Sequence, residues 1–306
     1  MPKLRQIARL SVATITLLVL TGCGANAAKI EQIDAATSLQ ITSSEKPNAK
    51  RVIALANGSA EIIFALGLKS LLIGRDIAST DADLKSIPIV TSGHQVVAEK
   101  IISLNPDLVI VDKSTGPISA LATLQSAGIL VAQIPEAWTL GDIPAKVDAI
   151  AASMGVAQSG TLLNKKFAKV LQNTQKQPLS KVRVAFLYLR GGSAIYLIGG
   201  QGSGADSLMH AVGAIDVGAE KFKQPFTAMT SEAMVSLNPD LILVMSKGLA
   251  SVGGVEGLVK LPGIAQTNAG KNKRVIAVDD SLLLSFGPRT PDLIYQLATQ
   301  ITKVMR

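Results

Sequence analysis

One thirteen-residue phrase occurs twice in this 306-residue chain. Residues 99–111 read EKIISLNPDLVIV and residues 232–244 read EAMVSLNPDLILV; a shift of 133 positions carries Glu99 onto Glu232 and Asn105-Pro106-Asp107 onto Asn238-Pro239-Asp240. Each copy has the chemistry of a helix end, a turn and a buried strand. Proline withholds an N–H and keeps the residue before it out of the right-handed helical region. The aliphatic run that follows has no polar alternation, as in a parallel strand covered on both faces. Six identical residues in a row (SLNPDL) are more than a common helix–turn–strand phrase produces by chance, so the repeat is taken as structural. The expected fold is α/β, with two similar lobes of mostly parallel sheet and a ligand site between them.

Strand and helix patterns alternate on either side of each copy. Residues 51–56 read as an apolar strand, 59–67 as a helix closed by Gly67, and 118–126 and 129–134 as a helix and a strand. Residues 141–155 and 159–175 have helical periodicity. In the second of these, Leu162, Leu163, Phe167, Val170 and Leu171 share a face, while Lys165, Lys166 and Lys169 lie mostly opposite. The second lobe begins at once after Pro178, with strands over 182–189 and 195–198, a helix over 205–212, a strand over 275–278 and a last helix over 291–305. The expected division is an N-terminal α/β lobe at 50–155, one long rigid inter-lobe helix at 156–178, and a C-terminal α/β lobe at 179–306.

The first 49 residues have another character. Lys3, Arg5 and Arg9 precede an apolar stretch from Leu10 to Leu20, and small residues follow, ending in Leu20-Thr21-Gly22-Cys23. That order is an export signal, and its apolar part is too short to span a bilayer. The L-T-G-C sequence resembles the lipobox of bacterial lipoproteins. Residues 1–22 are then the signal peptide and Cys23 the lipidated residue; a cut after Ala27 or Ala28 is the alternative. Residues 23–49 are polar and patternless, as a flexible tether would be. Cys23 is the only cysteine, which removes a structural disulfide and a thiolate metal site from consideration. The formal charge of +8 falls to +5 without the leader's three cations, and no basic run is interleaved with aromatics. A nucleic-acid partner is therefore not expected, and a mildly basic surface suits an acidic ligand.

Few residues have the types and positions that chemistry needs. Gly200, Gly202 and Ala205 satisfy the dinucleotide pattern G-x-G-x-x-G/A, which would make a secreted dinucleotide-dependent enzyme. The pattern lies after the second strand of its lobe, however, where glycines that turn the chain, with Asp206 or Ser207 capping the next helix, serve as well. His94 stands in the polar turn Thr91-Ser92-Gly93-His94-Gln95, and His210 lies on an amphipathic helix. Tyr188 and Arg190, two apart near the end of a strand, share a face. A guanidinium beside a phenol favours phenolate, a hard ligand for Fe(III), and an imidazole from His94 suits the same metal. One such group from each lobe would clamp a flat metallocycle. Equally, Tyr188 fits as a half-buried strand aromatic and His94 as a helix-start contact.

Seven segments carry a resemblance: RVIALANGSAEIIFALG (51–67), GRDIAST (74–80), TSGHQVVAEKIISLNPDLVIVD (91–112), FLYLRGG (186–192), GQGSGADSLM (200–209), the second repeat copy, and LLLSFGPRTPD (282–292). In these the chain resembles the class III substrate-binding proteins of ABC importers, and within them the haem-binding lipoproteins of bacterial hemin uptake. The resemblance implies a protein that is not an enzyme. It would sit lipid-anchored on the outer face of the cell membrane, in a Gram-positive-like setting, capture ferric haem between its lobes and deliver it to an ABC permease and its ATPase. Surface haem receptors would be its upstream partners. On this reading His94 and Tyr188 are the axial iron ligands and Arg190 supports the phenolate. Arg75 and Arg289 are candidates for the haem propionates, Tyr196 and Met245 for the pocket, and Tyr196 is the second choice of ligand. An acidic residue on each lobe's rim docks onto permease arginines, placed at Glu61 and, less closely matched, Asp206. A ferric siderophore or a cobalamin on the same scaffold is the alternative cargo.

Overall fold

The computed structural model describes residues 29–174, 179, 181–191 and 194–306. Strand β1 (Lys29–Ile33) belongs to the second lobe. The first lobe holds β2 (Val52–Ala54), β3 (Leu72–Arg75), a small antiparallel hairpin of β4 (Thr91–Ser92) and β5 (Gln95–Val96), then β6 (Leu108–Val111) and β7 (Leu130–Gln133). Its sheet is wholly parallel in the order β3-β2-β6-β7. The second lobe holds β8 (Arg183–Arg190), β9 (Ile195–Gly199), β10 (Ile215–Asp216), β11 (Phe226–Ala228), β12 (Leu241–Met245) and β13 (Arg274–Val278). Its sheet runs β1-β13-β12-β8-β9-β11 with β10 beside β8, and only the β8–β9 and β9–β11 pairs are antiparallel.

The repeat accounts for the likeness of the lobes. β6 lies beside β2 as β12 lies beside β8, and β7 follows β6 as β13 follows β12. In both copies the asparagine before the proline adopts a positive φ, 47° at Asn105 and 41° at Asn238, and this ends the helix. The aspartate then reaches back to the neighbouring strand. Asp107 accepts from the backbone N–H of Lys50 and Arg51, and Asp240 from that of Arg183. The arginines return the contact to the helix's last carbonyls, Arg51 to Leu104 and Asn105, and Arg183 to Leu237. Each phrase therefore clips a helix end to the start of a strand.

Helix Ala157–Thr174 joins the lobes, with Leu163 and Phe167 buried and Leu162, expected on the same face, half exposed. The largest apolar core is continuous through both lobes: it runs from Val52 and Ile62, past Leu163 and Phe167, to Leu208, Leu241 and Leu293. A satellite cluster lies on the far face of each sheet.

The segment expected as a flexible tether is built into the fold from residue 29 onward. β1 adds to the edge of the second sheet, parallel to β13. Residues 34–49 then cross to the first lobe through backbone bonds from Leu39 to Pro288, Ile41 to Ala65 and Asn48 to Met154. The Glu45 carboxylate accepts from the N–H groups of Gln158 and Ser159 at the start of the connecting helix. Apolar patterning missed this because a sheet edge pairs through its backbone, which asks little of side chains.

Gly200 and Gly204 serve packing. A side chain on Gly200 would meet the carbonyl oxygen of Gln224 at 2.3 Å, and Gly204 takes φ 88° against the Phe286 ring. Asp206 caps this loop, accepting from the N–H groups of Gly202 and Gly204 at 2.8 and 3.1 Å.

Candidate functional site

The C-terminal ends of the parallel strands in both lobes open onto one cleft of about 480 Å³, the place where open α/β sheets accept ligands. The first lobe presents Asn57 after β2, Asp76 after β3 and His94 at the tip of the β4–β5 hairpin; the second presents Tyr188 and Arg190 on β8 and Met245 at the end of β12. Below the cleft the lobes are tied together. Asn57 Nδ2 donates to Leu284 O at 3.0 Å, Thr80 Oγ1 to Asp279 Oδ1 at 3.0 Å and Lys146 Nζ to Ser285 O at 2.8 Å.

His94 is exposed on a two-residue hairpin turn in which Gly93 supplies the positive φ of 56°. Asp76 stands near it, 8 % exposed, with its carboxylate accepting from Ser79 Oγ and from the Ala78 N–H. Burial pushes the Asp76 carboxyl above its ordinary range, opposed by those hydrogen bonds and by the charge of His94. Tyr188 packs edge-on against Phe226, ring centroids 5.5 Å apart. The Arg190 guanidinium lies over the Tyr188 ring, 4.6 Å from its centroid, and reaches Asp280 Oδ2 at 3.5 Å. The two share a face as period-two geometry predicts, but the cation stacks on the ring itself, where it attracts the π electrons and any negative charge that develops on the phenol.

Other candidates are placed elsewhere. Arg75 is 8 % exposed and points away from the cleft, its guanidinium donating to the carbonyls of Asp76, Ser79, Leu84 and Ile87. The loop after β3 closes around it and takes up its Nε and Nη1 donors, so the guanidinium faces that loop and is not part of the cleft lining. Arg289, 4 % exposed, is consumed between the lobes: its Nε lies 3.0 Å from Glu61 Oε2 and 3.4 Å from Asp81 Oδ2. Nε is not aligned for a hydrogen bond, so charge attraction holds the pair, and the Arg289 N–H bonds Glu61 Oε1 at 2.8 Å. Glu61 is therefore 2 % exposed and cannot reach a permease; it is an inter-lobe bond. Tyr196 pairs with Leu189 across the β8–β9 register and lies on the satellite-core face, opposite Tyr188. Its hydroxyl meets Pro262 O at 3.3 Å, and burial drives its phenol well above the ordinary range. Met245 borders the cleft but is 1 % exposed and packs in the main core. Asp206 is half-buried and committed to its glycine loop, and His210 is exposed on its helix. Cys23 lies outside the described residues.

Three charged cleft residues went unnoticed in the sequence: Asp76, Asp280 and Lys247. Each follows closely on a parallel strand, and scanning all strand ends would have found them. The repeat itself held a further signal. Glu99 and Glu232 are equivalent positions, both exposed, each in the first turn of the helix that precedes its clip. Those first turns lie at the cleft end of their lobes, since the helices run opposite to the strands that follow.

The family described as "periplasmic binding protein" matches residues 52–282. The uncharacterised ABC transporter substrate-binding lipoprotein YvrC of Bacillus subtilis is 28 % identical over 94 % of each chain. A vitamin B12-binding protein of Vibrio cholerae is 26 % identical over 83 % of this chain and 89 % of its own. Among solved structures, the apo form of the periplasmic haem-binding protein RhuT from Roseiflexus sp. RS-1 superposes with a TM-score of 0.78 at 33 % identity, over 85 % of this chain and 100 % of RhuT. The haem-binding protein HmuT gives a TM-score of 0.82 at 28 % identity, over 90 % and 98 %. HmuT has also been solved with alanine in place of a histidine, of a tyrosine, and of the arginine two residues beyond that tyrosine.

Proposed function

The chain belongs to the periplasmic binding protein family, and from that premise we propose that its cargo is ferric haem, captured outside the cytoplasmic membrane. Proteins of this kind bind a substrate and hand it to an ABC permease with its ATPase; they are not enzymes. The observation that carries the proposal is the meeting of His94, from one lobe, with Tyr188 and its stacked Arg190, from the other, in a single cleft. Ferric haem brings four equatorial nitrogens and leaves two opposite axial positions for a histidine and a tyrosinate. Arg190 stabilises the phenolate that iron binding requires. The tyrosine–arginine spacing is that of the positions replaced in HmuT. Anchoring through Cys23 accords with the lipoprotein naming of YvrC.

The test is a haem titration of the protein lacking residues 1–23, followed by absorption, on wild type, His94→Ala and Tyr188→Ala. Saturation near one haem per chain is expected, with a distinct spectral change in each variant and a larger loss of affinity when Tyr188 is removed. An unchanged spectrum in either variant removes that ligand from the assignment. The second reading is a corrinoid, favoured by the Vibrio cholerae relative. A corrinoid with its own axial base and no free carboxylate needs neither His94 nor Tyr188. Saturable cyanocobalamin binding unaffected by both substitutions would select it.

A further inference from the structure

Resting on the haem reading, we infer that Lys247 is the cleft's carboxylate receptor and sets its preference for a tetrapyrrole bearing free acid groups. The two arginines expected to take this task, Arg75 and Arg289, are enclosed by carbonyls and carboxylates away from the cleft. Two lysine or arginine side chains remain among the described cleft residues, Arg190 and Lys247. Arg190 is already engaged by the Tyr188 ring, the Leu189 carbonyl and Asp280. Lys247 is exposed, and among the described residues its ammonium has no hydrogen-bond or ion-pair partner.

Its position is nevertheless fixed. The Asp280 carboxylate accepts from the Lys247 N–H at 3.0 Å through one oxygen and faces Arg190 through the other. Asp280 thereby compensates the arginine and anchors the backbone from which the lysine projects. The second-lobe wall is left with one uncompensated positive charge, carried on a flexible stem. An anionic group on a cargo seated against Tyr188 finds that charge within reach. The same residue separates cargo classes: a dicarboxylate porphyrin gains an ion pair, and an esterified or amidated tetrapyrrole does not.

The experiment compares ferric protoporphyrin IX with its dimethyl ester on wild type, Lys247→Met and Lys247→Arg. Wild type is expected to prefer the free acid. Lys247→Met should narrow that preference by roughly three-fold, the effect of a partly exposed ion pair, with ester affinity unchanged. Lys247→Arg should keep the preference, and salt at about 1 M should erase it in wild type. Equal loss for both porphyrins in Lys247→Met, or no loss for either, overturns the assignment while leaving the haem reading in place. Failure of wild type to bind either porphyrin overturns the haem reading and this inference together.

Discussion

Lys146 shows what one buried charge does to this molecule. It is 2 % exposed on helix Ile143–Ser153, and its ammonium crosses between lobes to the Ser285 carbonyl at 2.8 Å. Burial lowers its pKa from 10.5 to about 8, against the pull of Glu61, Asp112 and Glu136. The folded pKa lies below the unfolded one, so between about pH 8 and 10.5 the unfolded chain binds more protons. The corresponding stability is present above the unfolded value and is lost as pH falls through the folded value. The unfolding free energy of wild type minus that of Lys146→Met should therefore rise between about pH 7 and 10.5, by at most about 3 kcal/mol. Urea unfolding at both pH values checks this, and a flat difference would show that Lys146 keeps its ordinary affinity for protons.

At the scale of elements, the duplicated clip is a structural device. Asp107 holds two backbone N–H groups of the Lys50–Arg51 segment at 2.7 and 3.0 Å, at the end of the sheet away from the cleft. Asp107→Ala should cost about 1 kcal/mol, since the released groups are exposed and water replaces part of what is lost. Asp107→Asn should cost less, and haem spectra should not change in either. Asp240 has the added support of Asn268 Nδ2 at 3.0 Å, so its alanine variant should be at least as destabilised. Denaturant midpoints for the three variants measure the order directly. The repeat, its helix stops and its strand positions were all legible, because proline, asparagine and aliphatic runs act on their own neighbours. β1 was not legible, because what holds it is the open edge of β13, where Lys29 pairs with Arg274 from almost the other end of the chain.

At the scale of the molecule, the lobes share a core and are bonded beneath the cleft through Glu61 and Arg289, which leaves little free hinge. Permease recognition must then use outward-facing groups, and Glu99 and Glu232 are a matched pair, one per lobe. Replacing both with lysine should abolish haem uptake by cells and leave haem binding by the purified protein unchanged. Normal uptake in the double variant would end the docking role. In the same cells Cys23→Ser should shift the protein from the membrane fraction to the medium, as expected of an anchored lipoprotein.

Local chain geometry was enough to determine two like lobes, the strand ends that form the cleft, and the shared face of Tyr188 and Arg190. Those features depend on residues a few positions apart, whose periodicity and turn chemistry are written in the chain. The tertiary structure alone decided which charges are available. Arg75, Arg289 and Glu61 look like free surface groups in sequence, yet the loop after β3 closes over Arg75 and segments far along the chain close over Arg289 and Glu61, whereas Lys247, Glu99 and Glu232 stay open. A side chain's charge belongs to its sequence, but whether water or a buried counter-charge meets it is settled by what packs against it.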